Sequence, residues 1–197
     1  MPVYALFIAV VFQQAAQAGW PWYVARRKGQ GWVQDWGFRF DLPRDIKLGI
    51  GIAVLCIIFV NLTSRLAEWA VSLPADQDPS NTGLLSDNEG SPWLIGIILL
   101  VVIGAPFSEE LLFRGLIQRV LDKALGKYVA IMGSTILFTL PHVQEGATWQ
   151  ETCVLLTGIA TIGLVLGIAA DRYQRLGPVI IAHLLFNAFG TVATLAG

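Results

Sequence analysis

The chain has 197 residues, of which 55% are hydrophobic and only 14% are charged, where an ordinary soluble domain has roughly 25% charged residues. This composition argues against a soluble globular protein and against a disordered chain. The formal net charge of −1 leaves no basic excess for binding phosphates, so nucleic acid is not an expected partner.

Six stretches of the sequence contain no Asp, Glu, Lys or Arg. They are residues 1–25, 48–64, 90–108, 128–144, 152–170 and 176–197. Because an apolar helix of roughly 20 residues spans the bilayer core, they predict an all-α, polytopic transmembrane helical bundle of about six spans. We expect a single integral membrane domain, 1–197, with its core at 93–197. The core helices are placed at roughly 93–125, 127–142, 150–171 and 177–196.

The first apolar stretch is a weak candidate span because it contains Gln13, Gln14 and Gln17. The small residues at 16–18 also resemble a signal-peptide cleavage site. A signal peptide begins with a positively charged region, however, and no Lys or Arg precedes this stretch. We therefore favour a retained first helix over a cleaved signal for residues 1–18.

Charges in the loops orient the predicted spans. An amphipathic segment at about 26–47 carries basic residues and tryptophans, which by the positive-inside rule places it in the cytoplasm. The loop at about 74–92 is acidic and has no basic residue, so it is expected outside. Its acidic residues are Asp76, Asp78, Asp87 and Glu89. With Glu145 and Glu151 also outside, six spans with both termini outside satisfy every loop.

The first polar motif, Glu109 to Arg114, directly follows the third apolar run. It is either a solvated turn or part of a helix that continues to about residue 124, and the apolar residues that follow favour the helix. On a helix, Glu110 and Arg114 lie at i and i+4 and can pair, whereas Glu109 is rotated by about 100° from its neighbour. Glu109 is therefore the candidate general base, with Glu110 and Arg114 as its support.

The second motif joins Phe138 to His142 at the outer end of the fourth apolar run. A histidine after a proline near a helix end is a capping or loop residue as often as a functional one. Glu109 and His142, however, lie about equally far from the predicted turn at 125–126. If both helices are straight, these two residues sit at the same depth and can face each other.

The third motif places His183 and Asn187 at i and i+4 in the last span, so that both face the same way. Each alone is typical of an interhelical hydrogen bond. Two donors that converge on a bundle containing a carboxylate and a histidine are also how an oxyanion site is built. Both interpretations stay open from the residues alone.

Together the three motifs resemble the pattern of the family of type II CAAX prenyl proteases and bacteriocin-processing or self-immunity proteins: EExxxR, FxxxH, then HxxxN or HxxxD. The matching residues are Glu109, Glu110, Arg114, Phe138, His142, His183 and Asn187. The resemblance covers about residues 93–190 and implies a glutamate-dependent intramembrane endopeptidase. No cofactor is expected, chiefly because His183 and Asn187 make sense as a pair of donors. By this resemblance, Glu109 and His142 activate a water, His183 and Asn187 stabilise the oxyanion, and the other three residues are supporting.

The resemblance also implies the partners and the location. The expected partners are the lipid bilayer and a peptide or protein substrate that enters from the membrane or the cytoplasmic side. The segment 31–40 is similar to an amphipathic stretch that many bacterial members carry before the core. A multi-pass protein of the bacterial cell membrane is therefore expected.

Two alternatives keep the same residues. In the first, the glutamates and histidines hold zinc with an open position for water, although the sequence contains no HExxH motif. In the second, the chain is not an enzyme but a bacteriocin immunity protein, another membrane binding protein or part of a transporter. A chelator separates the first alternative from the metal-free protease, and a Glu109→Gln variant separates the second.

Overall fold

The computed structural model of the chain describes residues 3–77, 79, 90–143 and 148–196. Within those ranges every regular element is a helix. The elements are α1 (Val3–Lys28), α2 (Trp32–Trp36), α3 (Leu42–Val71), α4 (Leu94–Leu125), α5 (Lys127–Thr139), α6 (Trp149–Tyr173) and α7 (Gly177–Ala196). The predicted all-α polytopic bundle is confirmed, and the four core helices lie close to their predicted bounds.

The six apolar runs do not all form helices of full spanning length. Of the helices in the described ranges, α1, α3, α4, α6 and α7 are long and apolar enough to cross a membrane. Helix α5 has 13 residues, followed by one 3₁₀ turn, Leu140–His142. At about 1.5 Å per residue it extends about 20 Å, against about 30 Å for the bilayer core. His142 therefore lies at the end of the shortest helix of the core.

The structure describes only part of the acidic loops that were predicted to lie outside. Asp78, Asp87, Glu89 and Glu145 lie outside the described residues, as does most of the loop at about 74–92. At the opposite end, the last turn of α1 carries three basic residues. The assignment of the two faces to outside and cytoplasm stays a prediction.

Local sequence fixes where the core helices start. Gly126, with φ of 83°, separates α4 from α5, and a residue without a Cβ adopts this left-handed region at little cost. Helix α6 begins with a capping box, in which Thr148 Oγ1 accepts from the N–H of Glu151 and Glu151 Oε2 accepts from the N–H of Thr148. Glu151, predicted as an outer-face charge, therefore caps a helix.

The core of the bundle forms where α6 and α7 pack against α3, and α5 packs against α6. Cys56, Leu166 and Val179 are fully buried where these helices meet. Large apolar side chains also cover the outside of the bundle, among them Phe12 and Ile95. An exposed apolar surface of this kind suits a bilayer, because lipid tails solvate it better than water does.

Helix α4, which carries the two neighbouring glutamates, is not a regular α-helix. It contains π-helical stretches at Leu100–Gly104 and Glu110–Ile117. Pro106 lies between them, and a proline inside a helix removes one donor and crowds the carbonyl four residues earlier. In the first stretch the N–H of Ala105 bonds to the carbonyl of Leu100, five residues back. Each π turn changes the direction of the side chains that follow it.

Candidate active site

A buried ion pair lies at the centre of the bundle. Arg114 Nη1 donates to Glu110 Oε1 at 2.8 Å, and both side chains are fully buried. Arg114 Nη2 donates to the carbonyl of Gly163 on α6 at 3.1 Å, and the guanidinium lies 4.4 Å from the ring centroid of Phe138. The i and i+4 pair expected from the sequence is present, and it ties α4 to α5 and α6.

The imidazole of His183 joins the two glutamates. Its Nδ1 lies 2.9 Å from Glu110 Oε1, and its Nε2 lies 3.8 Å from Glu109 Oε2. A hydrogen bond at Nδ1 fixes the orientation of the ring and aims Nε2 at the second carboxylate. Helix α7 therefore brings one side chain between two neighbours on α4, a contact that the sequence does not indicate.

Glu109 differs from Glu110 in exposure and in partners. Its side chain is 13% exposed, whereas that of Glu110 is fully buried and bonded to both Arg114 and His183. Glu109 has His183 as its neighbour at 3.8 Å, a distance too long for a direct hydrogen bond. Of the two carboxylates, Glu109 is the more accessible.

His142 lies beside this cluster but not against Glu109. Its Nδ1 lies 3.1 Å from the carbonyl of Phe138, and its ring centroid lies 5.7 Å from that of Phe138. The ring of Phe138 also lies 6.1 Å from that of His183, so Phe138 packs near both histidines. Within the described residues, no ion pair within 4 Å joins His142 to Glu109. That Glu109 and His142 face each other at the same depth stays a prediction.

Asn187 donates to the backbone of α4. Its Nδ2 lies 2.8 Å from the carbonyl of Val101, in the first π-helical stretch. The N–H of Ala105 bonds to Leu100 instead, and Pro106 has no N–H, so Asn187 satisfies the carbonyl that this geometry releases. An amide nitrogen carries two hydrogens, and one of them remains for another acceptor.

The comparison with protein families is decisive at this point. A profile described as Rce1-like, type II CAAX prenyl endopeptidase, matches residues 91–189. The match covers half of the chain and includes all three motifs. The chain belongs to this family. It is thus a CAAX-protease-like intramembrane endopeptidase and an integral membrane protein. No curated protein and no solved structure matches the chain.

Several residues of this Rce1-like site were not singled out from the sequence. Gly163 offers its carbonyl to Arg114, and Ser134 Oγ donates to the carbonyl of Phe113 at 2.9 Å. Gln14 and Gln17 on α1 contact α4 from outside the matched region. A sequence clue was available for the glutamines only, since polar amides are costly inside a membrane span unless they are bonded.

The zinc alternative requires ligands that converge on one point. In the part of the chain that the structure describes, no group of three or more His, Cys, Asp and Glu side chains is arranged to hold a metal ion. Glu109, Glu110 and His183 lie together, but Oε1 of Glu110 is already bonded to Arg114 and to His183. His142 is turned so that one ring nitrogen meets the carbonyl of Phe138.

Proposed function

We propose that this chain hydrolyses a peptide bond inside the membrane with a water activated by Glu109. The observation that carries the proposal is the unequal state of the two neighbouring carboxylates. Glu110 is fully buried and engaged by Arg114 and His183, whereas Glu109 is partly exposed beside an imidazole. A base must be accessible to a water and free to accept its proton, and the greater exposure of Glu109 supports its assignment to this role.

In the proposed reaction, Glu109 takes a proton from the water as the water oxygen bonds to the carbonyl carbon of the peptide. The carbonyl oxygen becomes an oxyanion. When the C–N bond breaks, the proton passes from Glu109 to the leaving amine, and a new carboxylate and a new amine are released. His142 would orient the water, since its Nδ1 at the carbonyl of Phe138 leaves Nε2 free.

The oxyanion would receive its hydrogen bonds from α7. Asn187 has one amide hydrogen beyond the one given to Val101, and His183 presents Nε2 near Glu109. With His183 protonated, two carboxylates, one guanidinium and one imidazolium sum to zero charge, which suits a buried site. The Nε2–H of that imidazolium would then be a donor at the place where negative charge develops.

The substrate class follows from the family and from the position of the site. We propose a peptide or protein that enters from the membrane or the cytoplasmic side. Because bacteria generally do not prenylate proteins, the CAAX sequence itself is not carried over to a bacterial substrate. A bacterial cell membrane is the proposed location, on the similarity of segment 31–40 to bacterial members. Immunity to a bacteriocin is a biological role that such a protease could serve through the same cleavage.

The proposal is tested with the full chain in lipid vesicles. The probe is a quenched fluorogenic peptide that ends in a farnesylated cysteine and three further residues, beside the same peptide without the farnesyl group. Glu109→Gln should lower kcat by a factor on the order of 10² to 10⁴, because it removes the general base. Glu68→Gln, which changes a carboxylate at the far end of α3, is the control. A fully active Glu109→Gln variant contradicts the mechanism.

The same assay separates the metal-free mechanism from the zinc alternative. Prolonged treatment with a strong chelator should leave kcat unchanged, because the proposed base and donors are side chains. Activity that is lost with the chelator and restored by zinc alone would establish the zinc mechanism instead. If the parent is inserted in the vesicles and cleaves neither probe, the non-enzymatic alternative is favoured.

A further inference from the structure

Helix α1 presents a polar edge to the helix that carries Glu109. Gln14 is buried, although its neighbour Gln13 is exposed and both are glutamines in an apolar helix. Gln14 and Gln17 lie at i and i+3, so both face α4. Neither lies in the region that matches the family, which begins at residue 91.

The two glutamines contact α4 on both sides of its proline. Gln14 Nε2 donates to the carbonyl of Leu100 at 2.9 Å, at the start of the first π-helical stretch. Gln17 Oε1 accepts from Ser108 Oγ at 3.0 Å, one residue before Glu109. One contact therefore lies before Pro106 and the other after it, and the second is next to Glu109, the proposed base.

The packing of α1 against α4 leaves no space for other side chains at two glycines. A Cβ on Gly104 would overlap the Oε1 of Gln14, and a Cβ on Gly96 would lie 2.7 Å from the ring of Phe7. The absence of a side chain at Gly104 is thus what admits the amide of Gln14 to the backbone of α4. Gly104 and the amide of Gln14 therefore form one close contact between α4 and α1.

These contacts bear on the direction in which Glu109 points. A helical residue turns by about 100° relative to the one before it, so the loss or shift of a single π turn redirects every side chain that follows. The carbonyl of Leu100 accepts from Ala105 five residues later and from Gln14, and that of Val101 accepts from Asn187. The π turn is therefore held by side-chain amides of two other helices, α1 and α7.

We infer that Gln14 and Gln17 are positioning residues of the active site, which fix the π turn of α4 and thereby aim Glu109 at His183. Helix α1 is then part of the catalytic unit and not only a membrane anchor. The effect on turnover rests on the proposed function, whereas the effect on the contact between Glu109 and His183 does not.

The kinetic test compares Gln14→Leu with Gln13→Leu in the vesicle assay with the farnesylated peptide. Leucine is close to glutamine in size and keeps the helix apolar, but it cannot donate to Leu100. Gln14→Leu should lower kcat on the order of 10²-fold with little change in KM, as expected for a misplaced catalytic group. Gln13→Leu should match the parent. A Gln14→Leu variant that keeps the kcat of the parent overturns the inference.

A spectroscopic readout keeps the inference testable without activity. The chain has two histidines, so its imidazole ¹⁵N spectrum contains only the signals of His142 and His183, which a His142→Gln variant assigns. Gln14→Leu should shift the Nε2 signal of His183, because Glu109 no longer lies beside it, and Gln13→Leu should not.

A second variant covers the case in which Gln14→Leu does not fold. Gln17→Leu removes the acceptor of Ser108 and should shift the same Nε2 signal and lower kcat. Unchanged His183 signals in every folded variant overturn the inference. If the parent cleaves neither peptide but the His183 signal still moves, the proposed function fails while the positioning by α1 stands.

Discussion

Two consecutive residues of α4 stand in opposite situations. Glu110 is fully buried, with Arg114 and His183 both within 2.9 Å of one of its oxygens. Glu109 is 13% exposed, and His183 lies 3.8 Å away. One carboxylate of this charge cluster therefore joins helices α4 and α7, and its more exposed neighbour is the one proposed for the chemistry.

The buried ion pair of Glu110 with Arg114 should control stability. Arg114→Ala leaves Glu110 buried without its guanidinium, and breaking a buried pair costs about 3 to 5 kcal/mol. We expect a lower free energy of unfolding in detergent or bicelles, measured by denaturant titration. Glu109→Gln is the matched control and should unfold like the parent. If Arg114→Ala unfolds like the parent, Glu110 and Arg114 do not act as a buried pair.

Asn187→Ala tests whether Asn187 acts in catalysis or only joins α7 to α4. If its second amide hydrogen meets the oxyanion, kcat should fall by roughly 10² to 10³ with a modest change in KM. If its only role is the bond to Val101, the variant should lose about 0.6 kcal/mol of stability, an average membrane hydrogen bond, and turn over nearly normally. Measurement of kcat and unfolding on one purified sample decides between the two.

Ser134→Ala should give the smallest effect. Its hydroxyl makes a neutral hydrogen bond to the carbonyl of Phe113. Loss of about 0.6 kcal/mol with unchanged kcat is expected, because a neutral interhelical bond in a membrane is weak. A loss as large as that of Arg114→Ala would show that neutral bonds contribute as much as the buried charges.

Much of the fold was predictable because a bilayer imposes a simple rule on composition. The charge-free stretches became helices, and the bounds of α7 agree with those predicted. The length of α5 was not predictable from charge alone, because its run remains uncharged beyond Thr139 while the helix ends there. The 3₁₀ turn that follows contains Pro141, which cannot donate to the preceding turn.

The site was predictable where a contact depends on one helix. The pair of Glu110 with Arg114 follows from spacing and is confirmed. The link from Glu110 to His183 depends on how α7 packs against α4, and no spacing within one segment encodes it. The facing of His142 and Glu109 was expected from straight helices and stays a prediction. The π turns of α4 were not foreseen, and the contact of Gln14 with Leu100 at one of them comes from another helix.

Helix α6 binds two side chains of α4 through its main-chain carbonyls. The carbonyls of Gly163 and Gly167, one turn apart, accept from Arg114 and Gln118 at 3.1 and 2.9 Å. A Cβ on either glycine would press on the side chains that pack there. Substitutions elsewhere on α6 leave these two acceptors in place, since every residue type supplies the same carbonyl. At the contacts with Arg114 and Gln118, α6 is therefore constrained by the absence of a side chain at Gly163 and Gly167 and not by the chemistry of a side chain.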